Sequence, residues 1–260
     1  THRIAVGEPL GQFYGYITEG LYQVDDFNYD ASTQTYTLKD GVSYHGDKGQ
    51  IRPGMWKFKN LTGDDNVIDE NDKTVIGNAQ PKFYGGLNNS FTYKGFDLSI
   101  FLTFSYGNEV LNATKLVTSK VGSLNYNALD VMNSSNRWMT INSDGQKVTD
   151  PGELAALNAG KTVAAYHDAQ QGDNYIHSWA VEDASYLKLS NVTLGYTFPK
   201  NLIARVGLKN LRLYATGNNL LTWTKYSGFD PEVSTMKSGL TPGVDFGAYP
   251  LSRSFIFGLN

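Results

Sequence analysis

One stretch limits this chain more than any other. Residues 96–106 read FDLSIFLTFSY, with Phe96, Leu98, Ile100, Leu102, Phe104 and Tyr106 on alternate positions and Asp97, Ser99, Phe101, Thr103 and Ser105 between them. A two-residue period is a strand with two unlike faces. About eleven residues is the length a tilted strand needs to cross hydrocarbon, whereas strands in soluble proteins run about five or six. Residues 82–93 also alternate, and Lys94-Gly95 joins the two segments as a two-residue hairpin turn, with Gly supplying the positive φ. The alternation therefore predicts an all-β chain and asks whether it is a membrane β-barrel.

Composition does not close that question. Mean hydropathy is −0.36 and no run of about 18 apolar residues exists, so no transmembrane helix is expected. Barrel strands alternate, and their polar faces keep average hydropathy low. The 17 Tyr and 13 Phe suit aromatic girdles at a membrane interface, and the 27 Gly suit turn-rich β-structure. A net charge of −3 gives no pull toward nucleic acid. Zero Cys removes disulfides, zinc–thiolate sites and cysteine nucleophiles. The chain starts at Thr1 without a signal segment, and it reads as a piece of something longer.

Along the chain, residues 7–23 read as an extended, turn-broken segment, and 24–80 as polar loop with short strands near 35–38 and 55–59. Residues 108–184 show no sustained strand pattern. Within them, Asp150-Pro151-Gly152-Glu153 is a helix start, with Asp as N-cap, Pro first and Glu three after the cap; Gly160 is a stop. A short helix is also expected over 125–132. Alternation resumes at 185–198 and 211–223 and closes at 249–260, with 199–210 a compact connection and 225–248 a polar loop. Short turns alternate with long loops, which is the asymmetry of outer-membrane barrels. About five strands cannot close a barrel, for which eight is the usual minimum.

Five blocks, in order, resemble a known family. They are GEPLGQFYGYITEGLYQ (7–23), DENDKTVIGNAQPKFYGGLNNSFTYKGFDLSIFLTFSYGNEVLN (69–112), EDASYLKLSNVTLGYTFPK (182–200), LRLYATGNNLLTWTKYSGFDPEVS (211–234) and GVDFGAYPLSRSFIFGLN (243–260). Together they resemble the C-terminal barrel segment of SusC/RagA-type TonB-dependent outer-membrane transporters. The resemblance implies an antiparallel transmembrane barrel of about 22 strands, of which this chain holds a part. It further implies long extracellular loops carrying short helices, location in the outer membrane and no enzymatic activity. On this reading residues 1–81 are an extracellular loop region with an acidic turn. Residues 82–260 are barrel strands with long loops at 108–184 and 225–248. The implied partners are a SusD-type surface lipoprotein, TonB through an upstream part, outer-membrane lipid, and a glycan or oligopeptide substrate.

The resemblance also suggests a calcium-loop-like stretch at GDDNVIDENDKTVIG, residues 63–77. If Ile68 takes the eighth position, Asp65, Asp69 and Asp72 fall at the fifth, ninth and twelfth positions of a calcium loop, while the first and third become Leu61 and Gly63, which carry no carboxylate. Two readings stand: a Ca²⁺ site or an acidic turn. No other cofactor is expected.

Other candidates carry less chemistry. Asp230-Pro231-Glu232 pairs two carboxylates, but the central Pro reads as a rigid turn. His2, His45, His167 and His177 lack metal-ligand spacing, and there is no nucleophile elbow or phosphate loop. The loop aromatics Tyr126, Trp138, Tyr166, Tyr175 and Trp179 suit sugar stacking, a local core or the surface of the implied lipoprotein; so long a loop needs burial to be ordered, which favours packing or partner contact. Trp223 and Tyr226 read as interface-belt residues. The rival to a membrane wall is a secreted, soluble carbohydrate-binding module or adhesin. That fold needs a second layer over Phe96, Leu98, Ile100, Leu102 and Phe104.

Overall fold

A computed structural model describes residues 1–63, 65–119, 128–165, 175–236 and 238–260. They divide into two compact units: Thr1–Gly77 with Leu111–Val181, and Asn78–Val110 with Glu182–Asn260.

The second unit is a five-stranded antiparallel meander: β1 (Phe83–Tyr93), β2 (Phe96–Tyr106), β3 (Tyr186–Thr197), β4 (Arg212–Thr224) and β5 (Ser254–Leu259), each paired with the next. At the predicted hairpin turn Lys94 has φ 46° and Gly95 has φ 87°, so both central residues are left-handed, as a type I′ turn requires. The β3–β4 connection is helical, Lys200–Ile203 followed by a 3₁₀ turn at Ala204–Val206. Among the described residues β1 and β5 each have one unpaired edge.

Register shows a device that strict alternation conceals. Leu98 pairs with Leu194 and Ile100 with Val192, but Leu102 then pairs with Leu189 and Phe104 with Leu187. Ser190 is skipped in that ladder and again in the pairing with β4, where Asn191 faces Asn218 and Leu189 faces Leu221. This one-residue bulge changes the parity of β3. It keeps Leu187 and Leu189 on the face already occupied by Val192, Leu194 and Tyr196. β4 absorbs the mismatch with two residues, Asn219 and Leu220, and Asn219 adopts φ 51°.

The first unit has its own core, built jointly by the N-terminal residues and the long insertion. Tyr16, Leu21, Val24, Trp56, Phe58 and Ile68 pack with Trp138, Val148, Leu154, Ala164 and Ala165. Each large side chain so buried contributes about 1.5–3 kcal/mol. Gly54 has φ +88°, and a Cβ there would lie 2.3 Å from the Trp138 ring, so the indole closes directly on the backbone. Backbone bonds stitch the two segments: Tyr16 N–H to Ile176 O at 2.9 Å, and Ala165 N–H to Gly54 O at 3.0 Å. The hairpin Phe27–Asp30/Thr35–Leu38 is tied in by Tyr36, whose hydroxyl donates to Thr149 O at 2.7 Å.

The helix expected after Asp150 spans Pro151–Leu157, and Asp150 Oδ1 accepts Glu153 N–H at 3.0 Å. Over 125–132, the described part is a single 3₁₀ turn at Asp130–Met132; residues 125–127 lie outside the described residues. A strand at Glu109–Asn112 and a helix at Ala113–Thr118, capped by Asn112, lie where no regular pattern was legible.

Candidate functional site: a wall with two faces

Outside the bulge, the pairing register assigns each wall residue to a face. One face is apolar save for Asn89 opposite Ile100: Phe83, Leu87, Phe91 and Tyr93 on β1; the six alternate residues of β2; Leu187, Leu189, Val192, Leu194 and Tyr196 on β3; Leu213, Ala215, Leu221 and Trp223 on β4; Phe255, Phe257 and Leu259 on β5. Phe91, Phe96, Leu194, Trp223 and Phe257 are all exposed, the last at 80%. Aromatic rings sit at both ends of this face. Tyr93, Phe96 and Tyr196 mark one end, with Phe96 and Tyr196 centroids 4.5 Å apart. Phe83, Tyr106 and Trp223 mark the other, Phe83 stacking on Tyr106 at 4.9 Å. Ten residue steps separate Phe96 from Tyr106, about 33 Å along the strand and about 25 Å across a bilayer at a tilt near 40°. That is the height of an outer-membrane apolar band.

The opposite face is a hydrogen-bonded polar lattice. Thr103 and Ser190 hydroxyls lie 2.6 Å apart, Asn191 Nδ2 donates to Asn218 Oδ1 at 2.7 Å, and Thr193 and Thr216 hydroxyls lie 2.9 Å apart. Phe101 and Ile256 are apolar exceptions on it. Across β3, Arg212 on β4 forms a bidentate ion pair with Asp97 on β2.

The loop at 225–248 forms a strap on this same unit. Glu232 accepts bonds from Lys188 Nζ and from Tyr186 Oη, the latter at 2.7 Å, and Lys188 is only 5% exposed. Asp230 Oδ1 accepts Glu232 N–H at 3.0 Å, so the Asp-Pro-Glu triplet is a turn that aims Glu232 at Lys188. Tyr226 overturns its expected place in an interface belt: it is buried with Val110 and Ala184, and its hydroxyl donates to Asp245 Oδ2 at 2.6 Å. Burial, then the Asp245 carboxylate, raises its pKa. Residues of strap and wall, among them Lys188, Asn219, Thr222, Phe229 and Arg253, line a cavity of about 280 Å³.

The acidic turn lies in the first unit. Asp72 is fully buried: Oδ1 accepts Leu61 N–H at 2.7 Å and Thr62 N–H at 2.9 Å, and Oδ2 accepts Asp69 N–H at 2.8 Å. Burial pushes its pKa up, but the N–H bonds outweigh that and hold the carboxyl below its ordinary value. Asp69 Oδ1 accepts Asn71 N–H at 2.7 Å and Asp65 Oδ1 accepts Val67 N–H at 3.2 Å. Each of the three carboxylates thus serves nearby backbone. Among the described residues, no group of three or more His, Asp or Glu side chains has a metal-holding arrangement.

Of the loop aromatics, Trp138 is buried and Tyr175 and Trp179 pack against the same core; Tyr126, Tyr166 and His167 lie outside the described residues. His177, which periodicity did not single out, is fully buried beside Trp56, with Nδ1 2.9 Å from Thr18 Oγ1. Burial, with a smaller contribution from Lys115, pushes its pKa down to about 3. Among the described residues no helix is long and apolar enough to cross a membrane.

A five-stranded antiparallel sheet with one lipid-height apolar face and one polar face defines a β-wall of the outer-membrane receptor class. No family model matches the chain. Over its whole length it is 33% identical to TonB-dependent receptor P3 of Formosa agariphila, and over 99% of it 30% identical to TonB-dependent receptor P39 of the same organism. Over 83% of the chain it is 29% identical to TonB-dependent receptor SusC of Bacteroides thetaiotaomicron. The chain spans 23%, 25% and 18% of those three proteins, about a quarter of their length or less. It also superposes on the RagAB peptide importer in the open-open state, with a TM-score of 0.62 at 21% identity, covering 95% of this chain and 22% of that one. Over its whole length the chain is similar to part of these TonB-dependent receptors, consistent with the C-terminal part of a SusC-like protein.

Proposed function

We propose that this chain forms part of the barrel of a TonB-dependent outer-membrane transporter, its apolar face toward lipid and its polar face toward the lumen. The observation that carries the reading is the exposed apolar face with aromatic rings at both ends. A soluble module with that face bare would aggregate. The unpaired edges of β1 and β5 call for neighbouring strands elsewhere in the protein, and we infer a closed barrel of about 22. In this reading Lys94-Gly95 and the β3–β4 connection face the periplasm. Residues 1–81 and the loops at 108–184 and 225–248 face outward, where a SusD-type lipoprotein meets them. TonB acts through the part of the protein upstream.

The cargo we propose is a glycan, with an oligopeptide as the alternative. The polar face supports the first: its amides and hydroxyls suit a neutral, polyhydroxylated ligand, and Phe229 beside the 280 Å³ cavity offers a ring for stacking. No bond chemistry is required, only binding and gated passage.

The wall reading is tested by Ile100→Arg in the full-length receptor, with Ser99→Arg on the opposite face as control. Arg at mid-depth on the lipid face is expected to cost about 2–4 kcal/mol, visible as loss of heat-resistant, compact migration on electrophoresis. The lumenal substitution is expected to assemble. Normal assembly of Ile100→Arg would overturn the topology.

A further inference from the structure

We propose that the short-turn end of the wall is a binding surface for anionic phospholipid headgroups. The proposal rests on the membrane-wall reading and adds the chemistry of the lipid and the leaflet. Three observations converge on that end of the sheet.

The first is charge. Residues 198–211 carry Lys200, Arg205 and Lys209 and no carboxylate. The β1–β2 turn adds Lys94, and it is held beside the β3 end because Gly95 O accepts Thr197 N–H at 2.7 Å. Among the described residues, the acidic side chain at this end, Asp97, is already paired with Arg212. A chain with net charge −3 therefore gathers at least four uncompensated cations at one edge, a local asymmetry that the total conceals.

The second is exposed apolar surface in the same connection. Leu202, Val206 and Leu208 are 51%, 71% and 45% exposed, while Ile203 alone is buried among residues 200–210. Apolar side chains interleaved with cations describe a segment that lies in a membrane interface, with carbon in the acyl boundary and charge among headgroups.

The third is continuity. The connection directly extends the lipid-facing surface through its aromatic ring row: Tyr196 contacts Phe198 with centroids 4.9 Å apart, and Lys94 Nζ lies 5.2 Å from the centroid of Tyr93. Aromatic residues at the apolar boundary with cations just beyond them place those cations at headgroup level. A water-facing turn has no use for three bare aliphatic side chains, and a protein partner would require matching carboxylates. Phosphate headgroups satisfy both features. By the proposed orientation they belong to the inward-facing leaflet.

The test uses the full-length receptor in detergent, titrated with phosphatidylglycerol or phosphatidylcholine and followed by native mass spectrometry. The wild type is expected to retain phosphatidylglycerol preferentially. Lys200→Gln, Arg205→Gln and Lys209→Gln, with Lys94→Asn because Asn tolerates φ 46°, are each expected to weaken that preference by roughly fivefold or less at low salt. Added salt is expected to weaken it as well. Leu202→Gln/Val206→Gln/Leu208→Gln is expected to lower retention of both lipids. Equal retention of the two lipids by wild type, or an unchanged preference when all four charge substitutions are combined in one protein, would overturn the proposal. Failure of the wall reading is seen separately, as normal assembly of Ile100→Arg, while compact migration on electrophoresis shows that each charge variant still assembles.

Discussion

The Asp97 carboxylate and the Arg212 guanidinium bond across a strand that lies between their own. Nε to Oδ1 is 3.0 Å and Nη2 to Oδ2 is 2.5 Å, and the pair passes directly over Gly195 of β3. A Cβ at Gly195 would stand 2.4 Å from Arg212 Nη2 and 2.5 Å from Asp97 Oδ1. Those atoms are side-chain ends, so Gly195→Val is expected to part the pair while leaving the strand in place. The receptor's urea midpoint is expected to fall, and Gly195→Val on an Asp97→Asn background is expected to add little. Full additivity of the two substitutions would show that Gly195 serves some other purpose.

Lys188 and Glu232 join the strap to the wall. With Lys188 almost wholly buried, Glu232→Gln leaves its ammonium without a counter-charge, at an expected cost of about 3 kcal/mol. The double variant Lys188→Met/Glu232→Gln is expected to recover much of that loss, because both charges are gone. Limited proteolysis at 225–248 reads the outcome: cleavage should accelerate in the single variant and slow again in the double.

Asp72 accepts three backbone N–H groups, so Asp72→Asn turns its own amide toward one of them. A loss of about 3 kcal/mol is expected from the unsatisfied donors, and it should be the same with calcium or with a chelator. A calcium-dependent rise in wild-type thermal stability that Asp72→Asn abolishes would instead make residues 63–77 a metal loop.

His177 gives the first unit a specific acid sensitivity. Its folded pKa, near 3, lies below the ordinary value of 6.5, so the unfolded chain takes up a proton first as pH falls. The stabilisation is complete above about 6.5 and declines through the window down to about 3, by at most about 1.4 kcal/mol per pH unit. Asp72, whose folded pKa is depressed, adds its own loss only below the ordinary carboxylate range. Hydrogen exchange of the peptides holding Tyr16, Trp56 and Trp138, followed by mass spectrometry across this pH range, reads the core of this unit. His177→Asn, which keeps a donor or acceptor for Thr18, is expected to flatten the curve between pH 6 and 4.5.

What was legible in the sequence was whatever a period expresses. The alternation of Phe96 through Tyr106 gave the strand, its length and its two faces, and Asp150-Pro151 gave a helix start whose cap bond is present. What a period does not express stayed hidden. The Ser190 bulge reads as a broken pattern until the partner strand is seen, because parity is defined only by pairing. Tyr226 looked like a belt residue from its position beside Trp223, yet its hydroxyl found Asp245, nineteen residues away in sequence. The strand at Glu109–Asn112 and the helix at Ala113–Thr118 are short, and such elements are specified by what they pack on more than by local preference. The joint core of the N-terminal residues and the insertion is likewise a matter of distant segments meeting.

The bulge at Ser190 acts on β3 as a reading frame acts on a gene. Delete that one hydroxymethyl residue and the first third of the strand turns over: Leu187 and Leu189 swing onto the polar face, and Lys188 onto the apolar one. A single small side chain thereby keeps a twelve-residue ribbon from being inside out along a third of its length.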